Sequence, residues 1–323
     1  MPSNMGRIAL LMPVITALAE RAGLPEGGRG RIGLALAVGF GTFQLSASIL
    51  PANVPNLVMA GAAETAYGVR FSYLPYLALH APVLGVLKGI ALAACVCLLF
   101  PAQPSAPGVA EPTTPLSAAE RRLGMLLLTT LILWMTDTWH GIPPAWVGLA
   151  AACICLLPRV GFLTGDEFAS GVNLRTCIYI AGILGLTAVV AHSGLGDLLG
   201  HALLAVAPLT PGAGFRDFAS LVSITTGLNF VVTANGVPAL FTPLARTLAD
   251  ASGLPLLAVL MVQVIGYATP VLPYQASPIV VAMGMGAVPP RDGIRLCLVL
   301  AVVTFAVLVP LDYAWFALLN QLG

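Results

Sequence analysis

Apolar stretches alternate along this chain with short polar punctuation, at intervals close to the thickness of a bilayer. Runs at residues 31–50, 71–100, 123–140, 174–192, 254–269 and 293–319 each approach the length of helix, about 20 residues, that crosses a hydrocarbon core. Shorter runs broken by Pro and Gly lie between them. The pattern predicts an all-α, polytopic membrane protein.

The punctuation repeats. Residues 3–25 (SNMGRIALLMPVITALAERAGLP) set over 233–255 (TANGVPALFTPLARTLADASGLP) give nine identities in 23 positions without a gap, among them Gly6/Gly236, Pro13/Pro243, Gly23/Gly253 and Pro25/Pro255. Ser3/Thr233 and Glu20/Asp250 are conservative pairs. The match resumes where ILPANVPNLVMAG (49–61) lies over VLPYQASPIVVAMG (271–284) with one residue of gap, and a long apolar run follows each copy. Pro and Gly shared at fixed offsets are hard to obtain by chance in an Ala/Leu-rich chain.

Arginine placement orients the copies. If residues 20–31 face the cytoplasm, Arg21, Arg29, Arg31, Arg121, Arg122, Arg159, Arg175, Arg291 and Arg295 are inside and only Arg70, Arg216 and Arg246 outside. The copies then enter from opposite sides, as inverted repeats. The expected organisation is residues 1–100 as the remainder of a first repeat, with the second arm of a hairpin, a broken span and a long span. Residues 101–120, with five prolines, form a cytoplasmic linker. Residues 121–323 are the second repeat, with scaffold spans in 121–210, a re-entrant hairpin and broken span in 215–288, and a last span at 293–319. The 112 residues 121–232 precede the Thr233 tip, whereas two precede Ser3. The first repeat thus reads as truncated by roughly a hundred residues, several spans' worth, with Met1 expected to be internal to a longer protein. The same argument removes the signal-peptide reading of Arg7, the apolar run 8–19 and Ala17-Leu18-Ala19.

Composition agrees with a lipid environment: 58% hydrophobic, 8% charged, mean hydropathy +0.95. A net charge of +1 without clustered Lys/Arg excludes a nucleic-acid surface. Cys95, Cys97, Cys153, Cys155, Cys177 and Cys297 all lie in apolar stretches and read as core-filling residues. Gly194-Leu195-Gly196-Asp197 matches the GxGD element of intramembrane aspartyl proteases, but the Tyr-Asp partner is absent, as are G-x-S-x-G and phosphate-loop patterns. The chain is not expected to be an enzyme or to carry a cofactor.

Paired, Pro/Gly-interrupted segments in two halves point to a midplane binding site in secondary transporters. Backbone groups freed by a broken helix persist in lipid only where they line a cavity. Each copy offers a polar cluster opening a helix (Ser3-Asn4; Thr233-Ala234-Asn235-Gly236) and a Pro-rich break (50–56; 269–278). Helix N-termini at the tips suit an anion, while amide, hydroxyl and carbonyl oxygens suit Na⁺.

These tips, and Pro55-Asn56-Leu57-Val58, resemble the divalent-anion:sodium symporter family, the dicarboxylate, citrate and sulfate permeases. The resemblance covers most of the chain, including its ending VPLDYAWFALL (309–319). It implies Ser-Asn-Thr signatures at two re-entrant hairpin tips, Na⁺ at each tip (here Asn4 and Asn235), a di- or tricarboxylate or sulfate between them, and a homodimer. Met5 replaces the signature Thr, Ala234 displaces the second amide by one residue, and Val54-Pro55 stands where a double proline is usual.

Ser3, Asn4, Thr233, Asn235 and Gly236 are therefore the expected ligand-bearing positions, against a simple capping role. Asn53, Asn56, Thr269, Gln275 and Ser277 serve equally as ligands or as interhelical hydrogen-bonding groups. Arg7, one turn after Ser3, either meets an anionic substrate group, substitutes for a cation, or lies in the cytoplasmic vestibule. Lys88 is expected mid-span. Asp137, Trp139, His140, Asp312, Tyr313 and Trp315 are expected at the interface, and His80 as a packing residue. The leading function is Na⁺-coupled uptake of a small divalent anion by alternating access, in a multi-pass protein of the bacterial inner membrane. Cation/proton antiport, metalloid-anion efflux and a non-transporting subunit remain the alternatives.

Overall fold

A computed structural model describes residues 4–103, 115, 117–171, 178, 181, 182, 185, 189, 192–206 and 209–322. Among these the chain is helical, with no strand, as the apolar pattern predicts. The run at 174–192 and Cys177 lie largely outside the described residues, and so do Ser3, Arg175 and most of the linker. The principal helices are α1 (Asn4–Arg21), α2 (Arg29–Gln44), α3 (Val54–Tyr67), α4 (Tyr73–Leu99), α5 (Ala118–Met135), α6 (Pro144–Leu156), α7 (Gly165–Gly171), α8 (Leu195–Val206), α9 (Phe215–Ser252), α10 (Leu256–Tyr267), α11 (Ser277–Met285) and α12 (Pro290–Leu318). Helices α4, α9 and α12 are long and apolar enough to cross a membrane. The GxGD residues fall at the start of α8.

The repeated Gly-Leu-Pro is a helix stop followed by a helix start. Gly23 and Gly253 take left-handed φ of 67° and 72°, where a Cβ would be strained. Their N–H groups bond back to Glu20 (3.0 Å) and Ala249 (2.8 Å) carbonyls. Pro255 then sits in extended backbone as the N-cap of α10.

Helix α9 is not one rod. Thr233 has φ 59° and ψ 169°, outside helical space. A straight helix of its 38 residues would be about 57 Å long, yet a Cβ built on Gly253 would lie 3.4 Å from that of Pro211. The chain therefore turns back on itself at Thr233, and residues 215–232 and 234–252 form the two arms of a re-entrant hairpin.

Elements α2, α3 and α4 are echoed in order by α10, α11 and α12. In both sets the first helix breaks into short 3₁₀ turns (Leu45–Ser48 and Leu50–Ala52; Pro273–Gln275) before the next begins with Pro in its first turn, Pro55 or Pro278. The long helices that follow each contain a π-helical segment, Ala81–Leu87 and Thr304–Leu308. The start of α2, the end of α4 and the start of α12 share one cleft, lined by Gly27, Arg29, Phe100, Arg291 and Arg295. Another cleft brings together Arg70, Ser72, Leu257, Leu319 and Gln321, so α10 starts at the end opposite to α2. Helix α5 runs towards that second end, where Asp137 Oδ2 accepts the Tyr73 N–H at 2.7 Å.

Two of the charged residues expected at the interface are buried within the protein. Asp137 is buried as the acceptor for an otherwise unpaired N–H in the first turn of α4. Asp312 is fully buried on α12, and neither of its carboxylate oxygens has a hydrogen-bond partner among the described residues. Trp139 remains exposed, and His80 packs against Tyr76 (ring centroids 4.6 Å) and Phe316 (6.1 Å).

Lipid gives helices no hydrophobic reason to associate, so close approach of small residues carries the packing. A Cβ on Gly39 of α2 would come within 2.7 Å of Ala282 Cβ on α11, and one on Gly266 of α10 would overlap Thr225 Oγ1 on the first hairpin arm. Gly266→Ala should therefore lower stability by about 1–3 kcal/mol through overpacking. Gly284→Ala, where a Cβ meets nothing within 4 Å, should be neutral or stabilise by up to about 1 kcal/mol. Thermal unfolding of the two variants in one detergent checks the difference.

Candidate functional site

Breaking a helix inside a membrane leaves N–H and C=O groups that need partners. At the first break they are met largely by side-chain amides. Asn56, fully buried in the first turn of α3, donates through Nδ2 to the carbonyls of Ala47 and Ile49, both at 3.0 Å. Its Oδ1 accepts from Tyr267 Oη at the end of α10 at 2.7 Å. Tyr76 Oη adds a second bond to the Ala47 carbonyl at 2.8 Å. Asn56 is thus a clamp between the two broken spans.

Asn4 opens α1 at the level of this break and is buried. Its Nδ2 donates to Asn53 Oδ1 at 2.9 Å, and its Oδ1 accepts from Ser46 Oγ at 3.3 Å and from Arg7 Nη2. The same Nη2 reaches the carbonyls of Ala52 (2.8 Å) and Thr42 (3.3 Å). Asn53 is fully buried, with Nδ2 3.5 Å from the Phe43 carbonyl. Asn4, Arg7, Ser46, Asn53 and three carbonyls therefore form one polar cluster where α1, the end of α2 and the start of α3 meet.

The second break is built differently. The Thr233 turn lies beside it, because Asn229 Nδ2 on the first arm donates to the Gly266 carbonyl at 3.1 Å and Tyr274 Oη donates to the Phe230 carbonyl at 3.1 Å. Gln275 shapes the loop, its Oε1 accepting from the N–H groups of Val271 (2.6 Å) and Leu272 (3.0 Å). Thr269 Oγ1 donates to the Ile265 carbonyl (2.7 Å) and accepts from Lys88 Nζ (3.0 Å), which also donates to the Ala268 carbonyl (2.8 Å). A mid-span Lys costs about 2.5–3.5 kcal/mol on insertion scales. These two acceptors offset part of it.

The order of polar-tipped hairpin, broken span and long span fits the outcome of comparison with known families. The model of the sodium:sulfate symporter transmembrane region matches residues 1–322. The chain belongs to the sodium:sulfate symporter family. No curated protein matches the chain. Membership makes it an integral membrane symporter rather than an enzyme, and implies that it binds sodium and an anionic solute.

In this symporter the positions expected from sequence fall into three groups. Asn4, Arg7 and Asn53 come together, with Ser46 added. Thr233 makes the hairpin turn, with Asn235 half-buried and Gly236 buried against Val232 just beyond it. Asn56, Thr269 and Gln275 are engaged in holding the breaks, and Ser277 is exposed at the start of α11. No described hydrogen bond joins the Asn4 cluster to Thr233 or Asn235, and Ser3 lies outside the described residues.

Sequence reasoning missed Ser46, Asn229 and Tyr267. Asn229 is fully buried, and its Oδ1 has no partner among the described residues. It carried a signal, as an amide four residues before the tip within an apolar arm. Tyr267 carried none, because its partner is 211 residues away. Tyr267→Phe leaves Asn56 Oδ1 unsatisfied and should cost about 1–3 kcal/mol. A double-mutant cycle with Asn56→Ala, followed by denaturation in detergent, should return a coupling of at least about 0.5 kcal/mol.

Proposed function

We propose that the chain is the Na⁺-coupled symporter of a small divalent anion, a dicarboxylate, citrate or sulfate, working by alternating access. The observation that carries the reading is the Thr233 turn beside the break after α10. There a hairpin tip, the start of a helical arm and freed carbonyls lie in one region of the membrane. The arm beginning at residue 234 directs its first N–H groups and the positive end of its dipole at the tip, which favours an anion. Asn235 follows the turn and Asn229 precedes it, bringing amide oxygens of the kind that replace the water around Na⁺. Asn4 and Asn53 are the counterparts at the first tip.

In this reading the two halves are inverted repeats. Support comes from the opposite starting ends of α2 and α10, and from the arginines. Arg29, Arg291 and Arg295 share the cleft at the end where α2 starts, while Arg70 lies in the opposite cleft and Arg246 stacks over Tyr67 at the end of α3. The first end then faces the cytoplasm, with the 101–120 linker, in a bacterial inner membrane.

Proteoliposomes test the coupling. An inward Na⁺ gradient should stimulate uptake of labelled sulfate or of a C4 or C6 carboxylate, and Asn235→Ala should lower apparent Na⁺ affinity at least about tenfold, the loss of one bond to a charged group. Stimulation that survives unchanged in Asn235→Ala, or uptake indifferent to Na⁺, tells against the reading. Topology has its own check. In a background without the native cysteines, Gln103→Cys and Gln321→Cys should react with an impermeant thiol reagent from opposite sides, and labelling of both from one side refutes the inversion.

A further inference from the structure

The two breaks differ in where their side-chain cation comes from and in which buried oxygens are left without a partner. At the first, three oxygens from separate parts of the chain converge on a single point: the Asn4 side-chain oxygen at the tip, the Thr42 carbonyl near the end of α2 and the Ala52 carbonyl just before α3. Ser46 Oγ, also bonded to Asn4 Oδ1, closes one side. Convergent amide and carbonyl oxygens in a water-poor site are the ligand set of a bare monovalent cation. Here the point is taken by Nη2 of Arg7, carried on the tip helix itself.

The second break has its own side-chain cation, but Lys88 reaches it from the long span α4 and donates to Ala268 and Thr269. Among the described residues it donates to no tip residue. Asn235 has no side-chain hydrogen bond among the described residues. The buried Asn229 Oδ1 and the buried Thr226 Oγ1 on the first arm likewise have no partner there, and the arm itself packs on Gly266 through Asn229 Nδ2 and the Thr226 backbone. A buried acceptor without a donor costs about 1–3 kcal/mol, and a cation entering beside the tip relieves that cost. The first tip has no such vacancy among Asn4 Oδ1, Thr42 O and Ala52 O.

We infer that the Arg7 guanidinium permanently occupies the cation position at the first tip, so that sodium enters only at the second tip, beside Asn229 and Asn235. This rests on the Na⁺-coupled reading above. The consequence is electrical as well as stoichiometric. One positive charge of the loaded carrier belongs to the protein and returns with it, so one fewer sodium ion crosses with each anion than two open tips would carry.

The test is the Na⁺ dependence of anion uptake in proteoliposomes containing the native chain. For one sodium position the Hill coefficient should be about 1, and Arg7→Met, which empties the first cluster of its tethered cation, should raise it towards about 2, the number of sites then open. Arg7→Lys keeps a cation on the same helix and should stay near the native value. Should Arg7→Met not transport, equilibrium binding of labelled Na⁺ to the purified native protein decides, with about one ion per chain supporting the inference. A native coefficient or binding ratio near 2, or an active Arg7→Met that keeps the native coefficient, overturns it while leaving Na⁺ coupling intact. Absence of any Na⁺ stimulation in the native protein overturns the coupled reading and this inference together.

Discussion

A backbone N–H or C=O in hydrocarbon must find a partner within the protein, and that constraint governs this structure more than any other. Intact helices meet it locally. The symporter departs from intact helices at the ends of α2 and α10 and at Thr233, and several buried polar side chains answer those departures. Asn56 ties the Ala47 and Ile49 carbonyls, Gln275 ties two N–H groups after Pro270, and Lys88 ties the Ala268 carbonyl. The breaks are thus rigid, each held by a side chain anchored in a neighbouring element or across its own loop.

Rigidity at the breaks matters because an ion site needs ligands fixed before the ion arrives. The Tyr267–Asn56 bond joins the end of α10 to the start of α3, so a displacement of one broken span is felt by the other. Lys88 extends the link from the break after α10 to the π-containing helix α4. Binding at a hairpin tip would therefore bias a connected unit rather than a single loop.

The apolar residues that remain exposed take their meaning from the solvent. Val86, Ile90 and Leu98 on α4, and Val302 and Val307 on α12, both long and apolar enough to cross a membrane, are exposed. In water such faces would aggregate. Against lipid they are the matching surface, and specificity of packing passes to glycine contacts such as Gly39 with Ala282 and Gly266 with Thr225.

The sequence by itself determined the solvent, the helical class, the family and the places where helices stop. Those are local properties: run length against bilayer thickness, a left-handed position that favours Gly at 23 and 253, and Pro at 55 and 278 that opens a helix but cannot continue one. Thr233 was legible as a tip because a polar cluster recurred at the offset of Ser3. Only the tertiary structure decided which polar residues face which. Asn53 and Asn56 are three apart and looked alike, yet one joins the Asn4 cluster and the other clamps Tyr267. Asp312, near the end of its run, looked interfacial, yet the packing of α12 buries it completely. A side chain's partner across 49, 181 or 211 residues depends on how the helices cross, and crossing is set by the summed close contacts of small residues, which no single segment of the sequence contains.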